Sequence, residues 1–182
     1  MTKISNLNIN FSNKQLNADF SNKTINIIFY NKSKNLITKP SWLTSELNKF
    51  LDEKISTKDI DEIIFLQTNH GNFLVVKGLP NKIREDDSLY LENLGGKIYG
   101  VVKKNFLEKI NFFIDDATLS TNLLKGLCLK SYKFKNYKSP KISNKQKTIN
   151  LITKNYKEMK KEFEVILGVI KGVFFARDLV WK

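Results

Sequence analysis

Short apolar runs of strand length alternate along this chain with amphipathic segments of helix length, and that alternation narrows the folds open to it. Leu7, Ile9 and Phe11 alternate with Asn8 and Asn10, the period of a half-buried strand. Residues 24–30 form a second, more apolar and so more central strand. Pro40 and Ser41 open a helix, with Ser41 as N-cap and Leu43, Leu47, Phe50 and Leu51 on one face. Residues 62–67 and 72–77 read as a hairpin, because Asn69 and Gly71 in the gap are turn formers. Asp86, Asp87 and Ser88 cap a helix that turns Leu91, Leu94, Ile98, Val101 and Val102 inward and has Gly95, Gly96 and Gly100 on a small-residue side. A strand at 110–114, a helix from about Ser120 to Phe134 that buries Leu123, Leu127 and Cys128, and a strand at 148–153 precede the closing helix. This order predicts an α/β fold with a mixed, mostly parallel sheet of about six strands and helices on both faces. Residues 1–155 make the α/β domain and 156–182 the closing helix.

In that helix Phe163, Ile166, Ile170, Val173 and Phe174 recur at the period of one face. Gly168, Gly172 and Ala176 stand four apart and form a ridge of small residues. Each mid-helix glycine costs about 1 kcal/mol relative to alanine, so the ridge predicts a closely packed backbone neighbour, with the sheet as the expected one. The end of the helix, with Phe174, Phe175, Leu179, Val180 and Trp181, is apolar, and fraying or self-association is expected there.

The net charge of +13 raises nucleic-acid binding as a question. Arg84 and Arg177 are the only arginines, and Arg is the residue that grips phosphate bidentately. An excess of Lys accompanied by many Asn and Ile is a general compositional bias. The local feature closest to a nucleic-acid surface is Lys133, Lys135, Tyr137, Lys138, Lys141, Lys145 and Lys147, cations interleaved with aromatic rings.

Catalytic constellations are missing. The single His70 falls in the hairpin turn without a co-ligand, and the single Cys128 has no histidine to activate it. Asp115 and Asp116 follow a strand, where ligands gather in open α/β sheets, but capping and turn formation explain them. No phosphate-binding loop or nucleophile elbow occurs. The start, Met1 to Asn10, has no apolar run of signal-peptide length, so no signal peptide is expected, and the densest apolar run, broken by Lys171, is far short of the ~20 residues that span a bilayer. A cytoplasmic binding, scaffolding or assembly domain is expected, with no membrane partner.

Three stretches add a resemblance: Asn-Leu-Gly-Gly-Lys-Ile at 93–98, Ser-Tyr-Lys-Phe-Lys-Asn-Tyr-Lys at 131–138 and Gly-Val-Phe-Phe-Ala-Arg-Asp-Leu-Val at 172–180. In this order they resemble the N-terminal domain of the leucyl (cytosol) aminopeptidase family, most closely its alphaproteobacterial type, over almost the whole chain. The resemblance implies a macro-domain-like fold and a final helix that leads into a catalytic domain, with Phe174, Phe175, Arg177, Asp178, Leu179 and Val180 as the interdomain connector. Full-length members are hexameric exopeptidases that use two divalent cations, zinc or manganese among them. Their metal ligands lie in the catalytic domain, so no catalytic, metal or cofactor residue carries over to these 182 residues. The resemblance thus implies a non-catalytic domain acting in assembly and active-site access. Its expected partners are a catalytic domain of the same type, further copies, or a mixed hexamer. The alternative is a stand-alone module that binds a nucleotide or nucleic acid, DNA included, through the Lys-rich surface.

Overall fold

Seven of the eight residues of β3 (Thr24–Asn31) are buried, so this strand must lie inside a sheet covered on both sides. The computed structural model describes residues 2–4, 7–13, 21–56, 62–69, 71–132 and 146–180. In it β3 lies between two parallel partners, β5 (Gly71–Leu79) and β6 (Lys109–Phe113). Outside β6 come β7 (Lys147–Ile152), β2 (Leu7–Ser12) and a short edge strand β1 (Thr2–Ile4); outside β5 comes β4 (Ile63–Thr68). The order is β1-β2-β7-β6-β3-β5-β4, with antiparallel pairs only at the two edges. The mixed, mostly parallel sheet is as the sequence predicts; β1 is the seventh strand, added to the six read from the pattern. The hairpin also stands, with Thr68 paired to Gly71.

Period-two alternation sends the two faces of the sheet to different partners. On one face Leu7, Ile9, Ile27, Phe29, Ile110, Phe112, Ile149 and Leu151 meet α2 (Ser88–Lys104), α3 (Ala117–Ser131) and α4 (Tyr156–Val180) in the main core. On the other, Ile28, Tyr30, Ile64, Phe73 and Val75 meet α1 (Ser45–Ser56) in a smaller one. From β2 to β3 that second face also carries a polar row. Asn10, Asn150, Asn111 and Asn26 are opposite one another on β2, β7, β6 and β3. Each amide donates to the next: Asn10 to Asn150 at 3.0 Å, Asn150 to Asn111 at 2.9 Å and Asn111 to Asn26 at 2.9 Å. Asn26 and Asn111 are fully buried, and mutual hydrogen bonding is what makes such burial tolerable.

The helix starts depart from expectation in instructive ways. Ser41 does not cap α1; it stands in a turn closed by the Leu43 amide on the Pro40 carbonyl at 3.1 Å. Thr44 takes the capping role, its hydroxyl accepting from the Leu47 amide at 3.2 Å. Before α2, Asp87 folds back to accept from the Arg84 amide at 2.9 Å, within a 3₁₀ turn over Glu85–Asp87. Val101 of α2 is only half-buried, and Tyr99 is buried instead. Helix α3 begins at Ala117, ahead of Ser120, because Asp116 caps it through the Leu119 amide at 2.7 Å. It ends at Ser131, short of Phe134, with Tyr132 as its C-cap.

The ridge of Gly168, Gly172 and Ala176 does not pack on the sheet. Met159, Phe163 and Ile170 are the buried residues of α4, and the glycines face away from them. A Cβ on Gly168 or Gly172 would meet nothing within 4 Å. Close backbone contact occurs instead between α2 and α3. A Cβ on Gly95 would stand 2.1 Å from the Leu123 carbonyl oxygen, and one on Gly126 would stand 1.8 Å from that of Glu92.

Candidate functional site

Two places bring functional side chains together, and the first is the distal half of α4. Tyr132, the C-cap of α3, reaches this segment: its hydroxyl donates to Asp178 and its ring meets Phe174 at a centroid distance of 4.9 Å. Arg177 lies 5.5 Å over the same ring and donates from Nη1 to the Leu129 carbonyl at 3.3 Å. Stretches 131–138 and 172–180, distant in sequence, therefore meet at Tyr132. The six connector residues divide into two sets. Phe174, Arg177 and Asp178 turn back onto α3, while Phe175, Leu179 and Val180 are 65%, 50% and 81% exposed.

The second place is the carboxyl end of the parallel strands. The chain leaves β3 for α1 on one face and leaves the neighbouring β6 for α3 on the other. Ligands of open α/β sheets bind where adjacent connections part in this way. A cleft of about 540 Å³ opens there, with Phe113 and Ile152 on its floor and Thr38, Lys39, Asp115 and Lys154 around it. The Asp115 carboxylate accepts from the Thr153 hydroxyl at 3.2 Å and the Lys154 amide at 3.1 Å. Asp115 thus ties the β6 and β7 ends together while lining the cleft. Asp116 caps α3, as expected of it. Thr38 follows β3 while Thr153 and Lys154 follow β7, and they share no local motif, so the strand-end rule is the one signal that could have found them.

The other expected residues separate. Lys133, Lys135, Tyr137, Lys138, Lys141 and Lys145 lie outside the described residues, as do His70 and Trp181. Lys147 is described and half-buried, and its ammonium donates to the Leu107 carbonyl. Cys128 is fully buried, and burial pushes its thiol up to about 12, so it stays protonated. Burial also pushes Glu62 upward, but hydrogen bonds from Lys97 at 2.6 Å and Tyr90 at 2.5 Å outweigh it and hold the carboxyl below its ordinary value. Among the described residues no group of three or more His, Cys, Asp or Glu is placed to hold a metal ion. Asp115 and Asp116 are engaged in turn and cap bonds, so this donor set does not fit a two-cation centre. No described helix is long and apolar enough to cross a membrane.

No model of a known protein family matches the chain. It is 28% identical over 130 residues to a probable cytosol aminopeptidase of Phytoplasma mali, covering 65% of this chain and 26% of that protein. It is 29% identical over 149 residues to a probable cytosol aminopeptidase of Agrobacterium fabrum, covering 75% of this chain and 28% of that protein. The chain therefore spans about a quarter of the length of the curated relatives it matches. A tomato leucine aminopeptidase mutant shares the fold with a TM-score of 0.67 at 17% identity, over 98% of this chain and 38% of its own. A macrodomain mutant from Oceanobacillus iheyensis does so at 0.56 and 13% identity, over 88% of this chain and 92% of its own. Sequence and fold together bear out the resemblance to cytosol aminopeptidases, over a region that is a fraction of their length and has a macrodomain-like sheet.

Proposed function

We propose that this chain is a non-catalytic N-terminal domain of a leucyl-aminopeptidase-like protein, which acts in the cytosol in assembly and in access to active sites held elsewhere. The observation that carries this reading is the division of the distal α4. Its inner side is fixed to α3 through Tyr132, and its outer side leaves Phe175, Leu179 and Val180 open. A helix that hands one domain on to another needs both properties: a rigid root and an apolar side for the next body to cover. In such a protein the two divalent cations and the exopeptidase chemistry belong to the catalytic domain. The purified chain, incubated with manganese and a leucine anilide, should release no aniline above the blank. Turnover that follows the chain through purification would overturn the reading.

The cleft between the β3 and β6 ends supports the second reading, a nucleotide-binding module. Calorimetric titration with a nucleoside diphosphate distinguishes them: saturable heat that Lys154→Ala weakens favours the module.

A further inference from the structure

Helix α2 ends in a hydrogen-bonded stop that puts one residue in an unusual position. The Leu107 amide donates to the Val102 carbonyl at 3.1 Å, and the Phe106 amide donates to the Lys103 carbonyl at 3.3 Å. This is the Schellman arrangement, with Val102 and Leu107, both buried, as its apolar pair. It requires a left-handed residue just past the helix, and glycine is the usual one. Here that residue is Phe106, with φ at 54° and 85% of its surface exposed. A bulky side chain is disfavoured in this conformation, and a ring left in water forgoes the stabilisation of burial. The ring belongs to neither core of the fold. Two costs without an internal return point to a contact outside the chain.

The surroundings of the ring indicate its partner. Lys103 and Lys104 precede it in the last turn of α2, both exposed. Lys23, Lys109 and Lys147 stand where the neighbouring strands β3, β6 and β7 begin, at the end of the sheet opposite the cleft. The single carboxylate in this set, Glu108, is paired with Lys23 at 3.4 Å. The Lys147 ammonium donates to the Leu107 carbonyl, so the corner that carries Phe106 is held to the sheet. We propose that this corner docks on an anionic bilayer surface, with Phe106 entering the headgroup region and the lysines resting on the lipid charges. Each lysine near such a surface tightens binding about fivefold, and an aromatic ring is suited to the interface. A nucleic-acid strand fits less well, because successive bases stack on several rings along a groove. The corner offers one ring on a protruding turn, and the cations around it are all lysine. No described helix crosses a bilayer, so the contact is peripheral, and it departs from the expectation of no membrane partner. It stands apart from the assembly role and can fail without it.

The test is co-sedimentation of the full chain with vesicles. On phosphatidylcholine vesicles carrying about one-third phosphatidylserine, it should pellet at ~0.1 M salt and be released at ~0.5 M, where screening shortens the reach of the lysines. Pure phosphatidylcholine vesicles should leave it in the supernatant. Phe106→Gly should weaken pelleting roughly tenfold. The same variant should raise the urea midpoint or leave it unchanged, since glycine relieves the left-handed position. Lys103→Ala with Lys104→Ala should weaken pelleting about 25-fold, and Lys157→Ala with Lys161→Ala, an equal charge loss beyond the carboxyl ends of the strands, about twofold at most. No pelleting on the anionic vesicles, binding indifferent to Phe106→Gly, a lower urea midpoint for that variant, or equal losses from the two lysine pairs would overturn the proposal. A labelled single-stranded oligonucleotide that binds through Phe106 while the vesicles do not would overturn it too, and would assign the corner to nucleic acid.

Discussion

The Tyr132 hydroxyl donates to the Asp178 carboxylate, joining the C-cap of α3 to the last turn of α4 across 46 residues of sequence. Core packing alone does not hold this part of α4, because Ile170 is its last buried residue. Tyr132→Leu removes the bond, the Phe174 ring contact and the seat of Arg177 together. Amide exchange should then accelerate from about Phe174 onward and stay unchanged around Phe163. Uniform acceleration along α4, or none, would show that Tyr132 is not the anchor.

Glycines in this chain should answer oppositely to the same substitution. Gly95→Ala or Gly126→Ala drives a methyl into a backbone carbonyl and must part α2 from α3, at a cost of about 3 kcal/mol or more. Gly168→Ala meets open space and gains helix propensity, so it should stabilise by up to about 1 kcal/mol. Urea unfolding of the single variants measures both.

Acid sensitivity should have a named contributor. Glu62 has a folded value below its ordinary 4.5, so the unfolded chain binds its proton first. Its contribution is present above the unfolded value and lost as pH falls through the folded one. Glu62→Gln should flatten the pH dependence of stability below about 4.5. An unchanged slope would mean that Lys97 and Tyr90 do not stabilise the ionised carboxylate in solution.

Cys128 should behave as a core residue. A disulfide reagent at mildly alkaline pH should modify it no faster than the fold opens, and at once in denaturant, because the thiol is buried and protonated. Fast labelling of the native chain would refute its placement.

Strand content was legible because the sheet has two unlike faces. Leu7-Asn8-Ile9-Asn10 shows its period directly, and β3 shows its depth by being apolar throughout. What the pattern could not give was direction around a helix. Mid-helix glycines look alike in α2 and α4, and which of them turn inward depends on the neighbouring bulk: Leu91, Leu94 and Ile98 carry Gly95 inward, while Phe163 and Ile170 carry Gly168 outward. Capping was ambiguous for a similar reason, since Ser41 and Thr44 are both competent and the Pro40 turn decides between them. For the site, the stretch from Phe174 to Val180 was conspicuous in sequence, but its division into anchored and open residues needed Tyr132, 42 positions before Phe174. Of the cleft, Asp115 stood out in the sequence by its place after a strand, whereas Thr38 and Lys154 become its neighbours only through strand order.

The four asparagines across β2, β7, β6 and β3 bear on how the sheet reaches one alignment. Parallel strands can slide by two residues and still turn the same face to the core. Such a slide would cost the apolar face little, since Ile, Leu and Phe would meet others of their kind. On the opposite face it would set Asn111 beside Ile152 or Thr148 and strand a buried amide. The amides thus act as a vernier, rejecting offsets that hydrophobicity tolerates. Asn111→Ala should cost about 1–3 kcal/mol through the bonds it breaks, and denaturant titration measures that. Asn111→Val should also slow folding, because misaligned sheets would then persist long enough to compete.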